Sequence, residues 1–506
     1  PRREDAAGAG ARAGAGVRPD TQYYERLWVP YSTPWSRRPR PASAPHELSP
    51  GIAALSANAA DMSGWLLMGL PGAIYAAGLS KAWIAIGLIV GAWFNWWLIA
   101  PRLRAYSEVA DNAITIPSFF AKRLKRNSRQ LRIVAALVIL VFFTFYVSSG
   151  MVAAGKFFVS SFGWNYFIGM AVVAVITLLY TLFGGFLGAT LTDVAQGLLM
   201  LAALIAVPIV TVIELGGWGE ATDRITNVKP EAFNLFSGFS DNAFLWIIAT
   251  ISTAAWGLGY FGQPHIIVRF MALRTPGEAK TARRISLGWM VLSAAGAIFT
   301  ALIGIGYFAG DPEIKLGKGE SEEVFLVMSR IFFHPFVAGL VLAAVLAAIM
   351  STMSSQMIVC ASALVEDLYS LVGRKVAAKN LLVLSRLSVL GVTVVAAIMA
   401  LDRNSAILQL VEFAWAGFGA AFGPIVILCL YWRKLTPTGA LAGLVTGAVT
   451  VFVWANIDFL KDKMYEIVPG FLLNLLVSFV VSRMTYTEDP EVDAEFSSME
   501  AAVKEA

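Results

Sequence analysis

The chain has 506 residues, of which 57% are hydrophobic and 14% charged, with a mean hydropathy of +0.67 and a formal net charge of +5. A soluble globular protein of this length cannot present so much apolar surface to water, so composition excludes one and indicates an integral membrane protein with many spans. Two cysteines, Cys360 and Cys429, lie inside apolar runs and imply no disulfide framework, and His46, His265 and His334 are scattered without metal-ligand spacing.

Residues 1–47 are rich in Arg, Ala, Gly and Pro, contain no Lys and show neither helical nor strand periodicity. The expectation there is disorder, or an aberrant segment read in the wrong frame from GC-rich DNA. From residue 48 onward, apolar runs long enough to cross ~30 Å of hydrocarbon as helices follow one another. They cover residues 51–79, 83–100, 133–154, 167–183, 194–212, 243–261, 287–308, 336–364, 387–401, 406–432, 439–454 and 468–481. The fold expected is therefore all-α and membrane-integral, with about 12 transmembrane helices in a domain spanning residues 48–484. Residues 485–506 form an acidic tail too small to be a second domain.

Orientation follows from Lys and Arg, which favour cytoplasmic connections. The connection after the second run carries Arg102, Arg104, Lys122, Arg123, Lys125, Arg126, Arg129 and Arg132. Two runs separate each later basic connection from the next, at Arg274, Lys280, Arg283 and Arg284, then Arg374, Lys375 and Lys379, then Arg433 and Lys434. These connections and the tail are expected in the cytoplasm, with the acidic or mixed stretches 311–323 and 458–466 outside. The positive charge is then a topology signal, and no basic patch interleaved with aromatics suggests a nucleic-acid partner.

The first run contains Asp61, followed by Ser63, Gly64 and Trp65. A carboxylate at membrane depth costs on the order of 2.5–3.5 kcal/mol on insertion scales, which marks it as functional. Transporters built from inverted repeats interrupt corresponding helices at the membrane midplane, and Gly/Pro breaks in matching places point to the binding site. The first run breaks around Asp61 to Gly64 and again at Gly69, Pro71 and Gly72; five runs later come Gly257, Gly259, Gly262 and Pro264. Two repeats of five helices would leave the last two peripheral.

Unwound backbone offers carbonyl oxygens to a hard cation such as sodium. The eighth run adds hydroxyls at Ser351, Thr352, Ser354 and Ser355 directly after an apolar stretch. Trp65, Tyr146, Trp256 and Tyr260 sit near span centres and not in the interfacial belt, where they would suit a ring-bearing substrate. No nucleophile elbow, phosphate loop or metal cluster points to an enzyme or to a resident cofactor.

Residues 57–72 (ANAADMSGWLLMGLPG), 256–265 (WGLGYFGQPH) and 414–424 (AWAGFGAAFGP) resemble the sodium/solute symporter family, in its proline branch, and the likeness runs from about residue 48 to 483. The resemblance implies an inverted five-plus-five repeat, like that of the amino-acid/sodium symporters, that takes up L-proline with sodium as coupling ion by alternating access in a bacterial-type plasma membrane. It implies a sodium site of Ala59, Met62 and Ala348 backbone oxygens with the Ser351 and Thr352 hydroxyls, and a coupling role for Asp61. The substrate site it implies uses Ser63, Trp65, Gly69, Tyr146, Trp256, Tyr260 and Pro264. A second sodium would lie between Asp193, after Gly184-Gly185, and Ser354 and Ser355, with help from Ser351. No obligate protein partner is inferred.

The chain departs from the family before residue 48. Relatives have one further helix there, ending in a Gly-Gly-Arg turn, and His46 stands where that Arg would fall. A one-nucleotide frame shift near codon 46 should recover such a helix if the frame is at fault. Other readings of the chain are a sodium symporter for pantothenate, a sugar or choline, and a membrane sensor module, for which the tail is too short to carry a kinase.

Overall fold

A computed structural model describes residues 48–125, 128–238, 242–310, 316, 320–369 and 378–506. The expectation for 1–47 lies outside the described residues. What is described is almost entirely helix, and the pairing closest to a strand is an isolated parallel bridge between Leu48 and Leu273.

Helix α1 (Pro50–Asp61) starts where Ser49 caps it, its hydroxyl accepting from the Ile52 N–H at 3.5 Å with Pro50 in the first turn. The helix stops at Met62 (φ −85, ψ 85), and the chain resumes as a π turn (Trp65–Gly69) that runs into α2 (Leu70–Ala77). Only the break at Met62 and Ser63 interrupts the first span. The second expected break, at Gly69, Pro71 and Gly72, is continuous helix. The π turn shifts the hydrogen-bond ladder just before Pro71, so the missing proline N–H falls in the first turn of α2, where no donor is needed.

The chain returns through α3 (Trp83–Phe94), a second π turn (Asn95–Ile99) and α4 (Ala100–Val109), then a short α5 (Ile116–Leu124) and the 35-residue α6 (Ser128–Phe162). The fourth and fifth expected spans fall within one continuous helix, α7 (Tyr166–Glu214), which carries Pro208 inside it. Its 49 residues correspond to about 73 Å of helix at 1.5 Å per residue, more than twice the hydrocarbon thickness. After α8 (Trp218–Val228), the sixth span is built from α9 (Ala243–Ala254), a 3-10 stretch (Ala255–Gly262) and α10 (Pro264–Met271). Both expected interrupted helices are therefore present.

The remaining elements are α11 (Ala279–Gly310), α12 (Val324–Phe332), α13 (Pro335–Ser362) with a π turn after it (Ala363–Leu368), and α14 (Ala378–Met399). They are followed by α15 (Ile407–Tyr431), α16 (Pro437–Ala455), a four-residue α17 (Asp458–Lys461), α18 (Ile467–Thr485) and α19 (Pro490–Glu505). Among the described residues, nine helices are long and apolar enough to cross a membrane, and three shorter apolar ones accompany them.

Small residues set the closest crossings, as expected where apolar lipid removes the hydrophobic drive between helices. A Cβ on Gly91 would lie 2.2 Å from the Gly257 carbonyl oxygen, and one on Gly87 2.1 Å from that of Ala254. These two glycines let α3 lie directly against the unwound part of span six and fix its path. The tail is ordered as helix: α19 buries Val492, Phe496 and Met499 against the protein, and Glu495 and Glu500 pair with Lys125 and Arg433 at 2.8 Å each.

Candidate functional site

The two breaks meet at Asp61. Its Oδ2 accepts a hydrogen bond from the Tyr260 hydroxyl of the second broken span, while its backbone carbonyl accepts from Trp65 Nε1 at 3.0 Å and from the Tyr146 hydroxyl at 3.2 Å. Spans one, three and six are thus tied to one residue that is 1% exposed. The other carboxylate oxygen, Oδ1, is buried with no hydrogen-bond partner among the described residues. A buried acceptor left open is costly, and Asp193 Oδ1 is likewise without a partner among the described residues.

Two residues earlier, the carbonyl of Ala59 faces α13. The Ser351 hydroxyl donates to it at 2.8 Å, with the Ala348 carbonyl as an alternative acceptor at 3.1 Å, and Thr352 donates to it at 3.4 Å. Ala59, Ala348, Ser351 and Thr352 are brought together as expected of a cluster of hard oxygens. Met62 lies at the break itself, where its N–H donates to Asn58 O at 2.8 Å.

Aromatic rings line the space beside the breaks. Trp65 and Trp256 have centroids 6.3 Å apart, Trp256 stacks on Trp415 at 6.4 Å, and Tyr260 meets Trp415 edge-on at 5.1 Å. Trp415 Nε1 also donates to the Trp256 carbonyl, within the 3-10 stretch, at 2.7 Å. Ser63 takes the Trp65 N–H on its hydroxyl at 3.3 Å, and Pro264 opens the half-helix α10. Gly69 stands apart from the rings' centre, next to Leu408 of α15.

The residues expected around a second ion are arranged differently. Arg269 of α10, missed in the sequence, puts its Nη2 2.8 Å from Asp193 Oδ2 and 2.9 Å from the Ser355 hydroxyl. Its Nε donates to Ser56 at 2.6 Å, Ser56 donates to Asp193 at 2.8 Å, and its Nη1 donates to the His265 carbonyl. Asp193 and Ser355 therefore meet through the protein's own guanidinium. Ser354 does not join them, since its hydroxyl donates to Ser351 O at 2.9 Å within its own helix. A buried carboxylate needs a counter-charge, and Arg269 supplies it without an ion.

On the far side of the site the connection before α12 folds over the first span. Glu322 receives the Lys156 ammonium at 2.7 Å on Oε2, and the Ile407 and Leu408 N–H groups at 2.9 and 3.3 Å on Oε1. A Cβ on Gly72 would come within 2.8 Å of the Glu322 backbone, so the glycine permits this contact.

Residues 44–447 match the sodium:solute symporter family. The chain belongs to that family. This symporter is 51% identical to the high-affinity proline transporter PutP of Bacillus subtilis, over 89% of its own length and 93% of the relative's. It is 49% identical to the osmoregulated proline transporter OpuE of the same organism (87% and 88% of the two chains) and 46% identical to a sodium/proline symporter of Staphylococcus aureus (90% of each). Among solved structures it is similar to a sodium-coupled sialic acid symporter in a substrate-bound outward-open state, with TM-score 0.70 and 16% identity over 87% and 90% of the chains. It is also similar to the nucleobase-cation symporter Mhp1, with TM-score 0.55 and 14% identity over 91% and 99%. These two likenesses establish the fold of the symporter as that of the known inverted-repeat transporters. Its relatives are transporters, and it is not an enzyme.

Proposed function

We propose that this symporter couples the inward movement of sodium to the uptake of L-proline by alternating access. The observation that carries the reading is the meeting of the two interrupted helices at the buried Asp61, two residues after the Ala59 carbonyl to which the Ser351 and Thr352 hydroxyls of α13 donate. In this reading sodium is ligated by the carbonyls of Ala59, Met62 and Ala348 and by the two hydroxyls, whose protons turn away from Ala59 when the ion arrives. Asp61 faces the ion's charge and, through Tyr260 and its own carbonyl, passes the occupancy of the ion site to spans three and six.

Proline is a zwitterion with an apolar ring. Its ring would lie against Trp65, Trp256 and Tyr260, and its carboxylate would face the half-helix N-termini after the breaks, where Ser63 and Pro264 stand. Tyr146 closes the pocket and Gly69 leaves room at its rim. The names of the relatives, which include two proline transporters and a sodium/proline symporter, support this choice of solute. The basic connections, including the one between α4 and α6, and the C-terminal helix α19 face the cytoplasm, following the distribution of Lys and Arg. One sodium and one zwitterion move one net charge, so ~2.3 kcal/mol per 100 mV of membrane potential adds to the driving force.

The test is uptake of labelled L-proline into proteoliposomes under an inward sodium gradient, with potassium as the control. Accumulation with sodium and not with potassium is expected, together with little competition by pantothenate, sugars or choline. Equal uptake in both salts, or strong inhibition by one competitor, would overturn the assignment.

A further inference from the structure

Helices α16 and α18 follow the two five-helix repeats, yet one residue between them reaches the aromatic cluster of the site. Tyr465 stands in the connection from α17 to α18, two residues before α18 starts at Ile467. Its ring lies against the Trp256 indole, with centroids 5.6 Å apart and planes inclined by 31°, and the residue is 5% exposed. This approach is closer than those of Trp65 and Trp415 to the same indole, at 6.3 and 6.4 Å.

Two hydrogen bonds hold the Tyr465 ring in place. Its backbone N–H donates to the Ser252 hydroxyl of α9 at 2.7 Å, one helical turn before Trp256. Its own hydroxyl donates to the Glu412 carbonyl of α15 at 2.8 Å, three residues before Trp415. The connection is fixed from behind as well, since Trp454 Nε1 of α16 donates to the Met464 carbonyl at 2.8 Å. Ile467 packs where α15 crosses span six: a Cβ on Gly419 would lie 2.6 Å from the Ile467 Cδ1 and 2.8 Å from the Gly259 Cα. Tyr465 therefore bridges the two spans that carry Trp256 and Trp415, with its ring on the first of them.

We propose that Tyr465 is a positioning residue of the solute site, which fixes the plane of the Trp256 indole and through it the affinity and the ring-size preference for the solute. The proposal rests on the reading given above, in which the proline ring lies against Trp256. Trp256 sits in a 3-10 stretch with Gly257 and Gly259 close behind it, a backbone that glycine leaves permissive, so the orientation of the indole has to come from the rings around it. Of those rings, Trp65 hydrogen-bonds to the Asp61 carbonyl and belongs to the ion end of the site. Tyr465 is tied to Ser252 and Glu412, outside the oxygen cluster around Ala59. Its loss should then be felt by the solute and not by sodium. In an interior packed at crystal density, removing the ring behind an indole lets the indole tilt back, and a larger solute ring gains the room.

The test is sodium-driven uptake by the full-length protein in proteoliposomes, with rates normalised to the amount of protein and L-pipecolate, the six-membered-ring homologue of proline, as competitor. Tyr465→Ala should raise the half-saturating proline concentration roughly five- to tenfold, the scale of a lost aromatic pair. The maximal rate and the half-saturating sodium concentration should stay within about twofold of the parent's, and L-pipecolate should gain on L-proline as competitor by roughly threefold or more. Tyr465→Leu, which keeps most of the volume, should show the same pattern and carries the test where the alanine variant does not reach the membrane. Tyr465→Phe, which keeps the ring, should restore proline half-saturation to within about threefold of the parent's. Unchanged half-saturation in the alanine and leucine variants overturns the proposal. So does an equal loss in Tyr465→Phe, which would assign the effect to the bond with Glu412, or a fall in maximal rate with half-saturation unchanged, which would mark a purely structural role. A parent without sodium-driven proline uptake overturns the transport reading and this inference with it; a parent that transports, with variants that match it, overturns this inference alone.

Discussion

Two buried carboxylates in this protein are held in different ways, although each keeps its Oδ1 without a hydrogen-bond partner among the described residues. Asp193 has two serines and a guanidinium around it, and one of its oxygens is engaged by Arg269 and Ser56 together. Asp61 has a tyrosine on one oxygen and, two residues earlier in the chain, a carbonyl that receives hydroxyls of α13, without any cation from the chain. The difference is between a carboxylate cross-linked by the chain's own cation and one that the chain leaves without a counter-charge. Under the proposed function, the elements at Asp193 are held by the protein's own cation and those at Asp61 depend on one that comes and goes.

That contrast can be broken from either side. Arg269→Gln should be the most damaging change, since it leaves the Asp193 carboxylate buried without its counter-charge; a loss of about 3–5 kcal/mol is expected, seen as a fall in thermal stability of the detergent-purified protein. If stability is unaffected, Arg269 is not a structural cation. Asp61→Asn should instead leave the protein folded and raise the sodium concentration for half-maximal uptake on the order of 100-fold, the scale of a hydrogen bond or contact made by a charged group. An unchanged sodium requirement would place the ion elsewhere.

Smaller effects sharpen the same comparison. A Cβ at Gly259 would sit 1.9 Å from Trp415 Nε1, so Gly259→Ala must push the ring off the Trp256 carbonyl. A loss of about 1–3 kcal/mol is expected, read as weaker proline binding with the sodium requirement little changed. Thr352→Ala, which removes a peripheral hydroxyl at 3.4 Å, should raise half-maximal sodium about tenfold or less. Glu500→Gln, which breaks a half-exposed pair with Arg433, should cost about 0–1 kcal/mol and leave sodium dependence alone.

Much of this could be read from residue order. The breaks around Asp61 to Gly64 and Gly257 to Pro264 are written in glycine and proline, and the Ser351-Thr352 pair stands out after an apolar stretch. Asp61 betrays itself by cost alone. Arg269 did not, because an arginine a few residues before the basic connection at Arg274 looks like part of the orientation signal. Its partner Asp193 is 76 residues away, and hydropathy carries no information on which distant charge a buried one will meet. Trp415 was visible as a motif residue, but its hydrogen bond to the Trp256 carbonyl joins residues 159 positions apart, which residue order does not reveal. The continuity of α2 through Pro71 rests on a π turn, a backbone adjustment for which composition gives no sign. The docking of α19 had a faint signal, since Val492, Phe496 and Met499 recur at helical spacing among the acidic residues.

The central claim is that one cation site is filled by the chain and one by sodium. The most direct test is the coupling ratio, measured in proteoliposomes as the proline gradient that brings net flux to zero against a set sodium gradient and membrane potential. The account predicts one sodium per proline, with the ratio unchanged as the potential is varied. A ratio of two would mean that an ion binds beside Asp193 in spite of Arg269, and would contradict it.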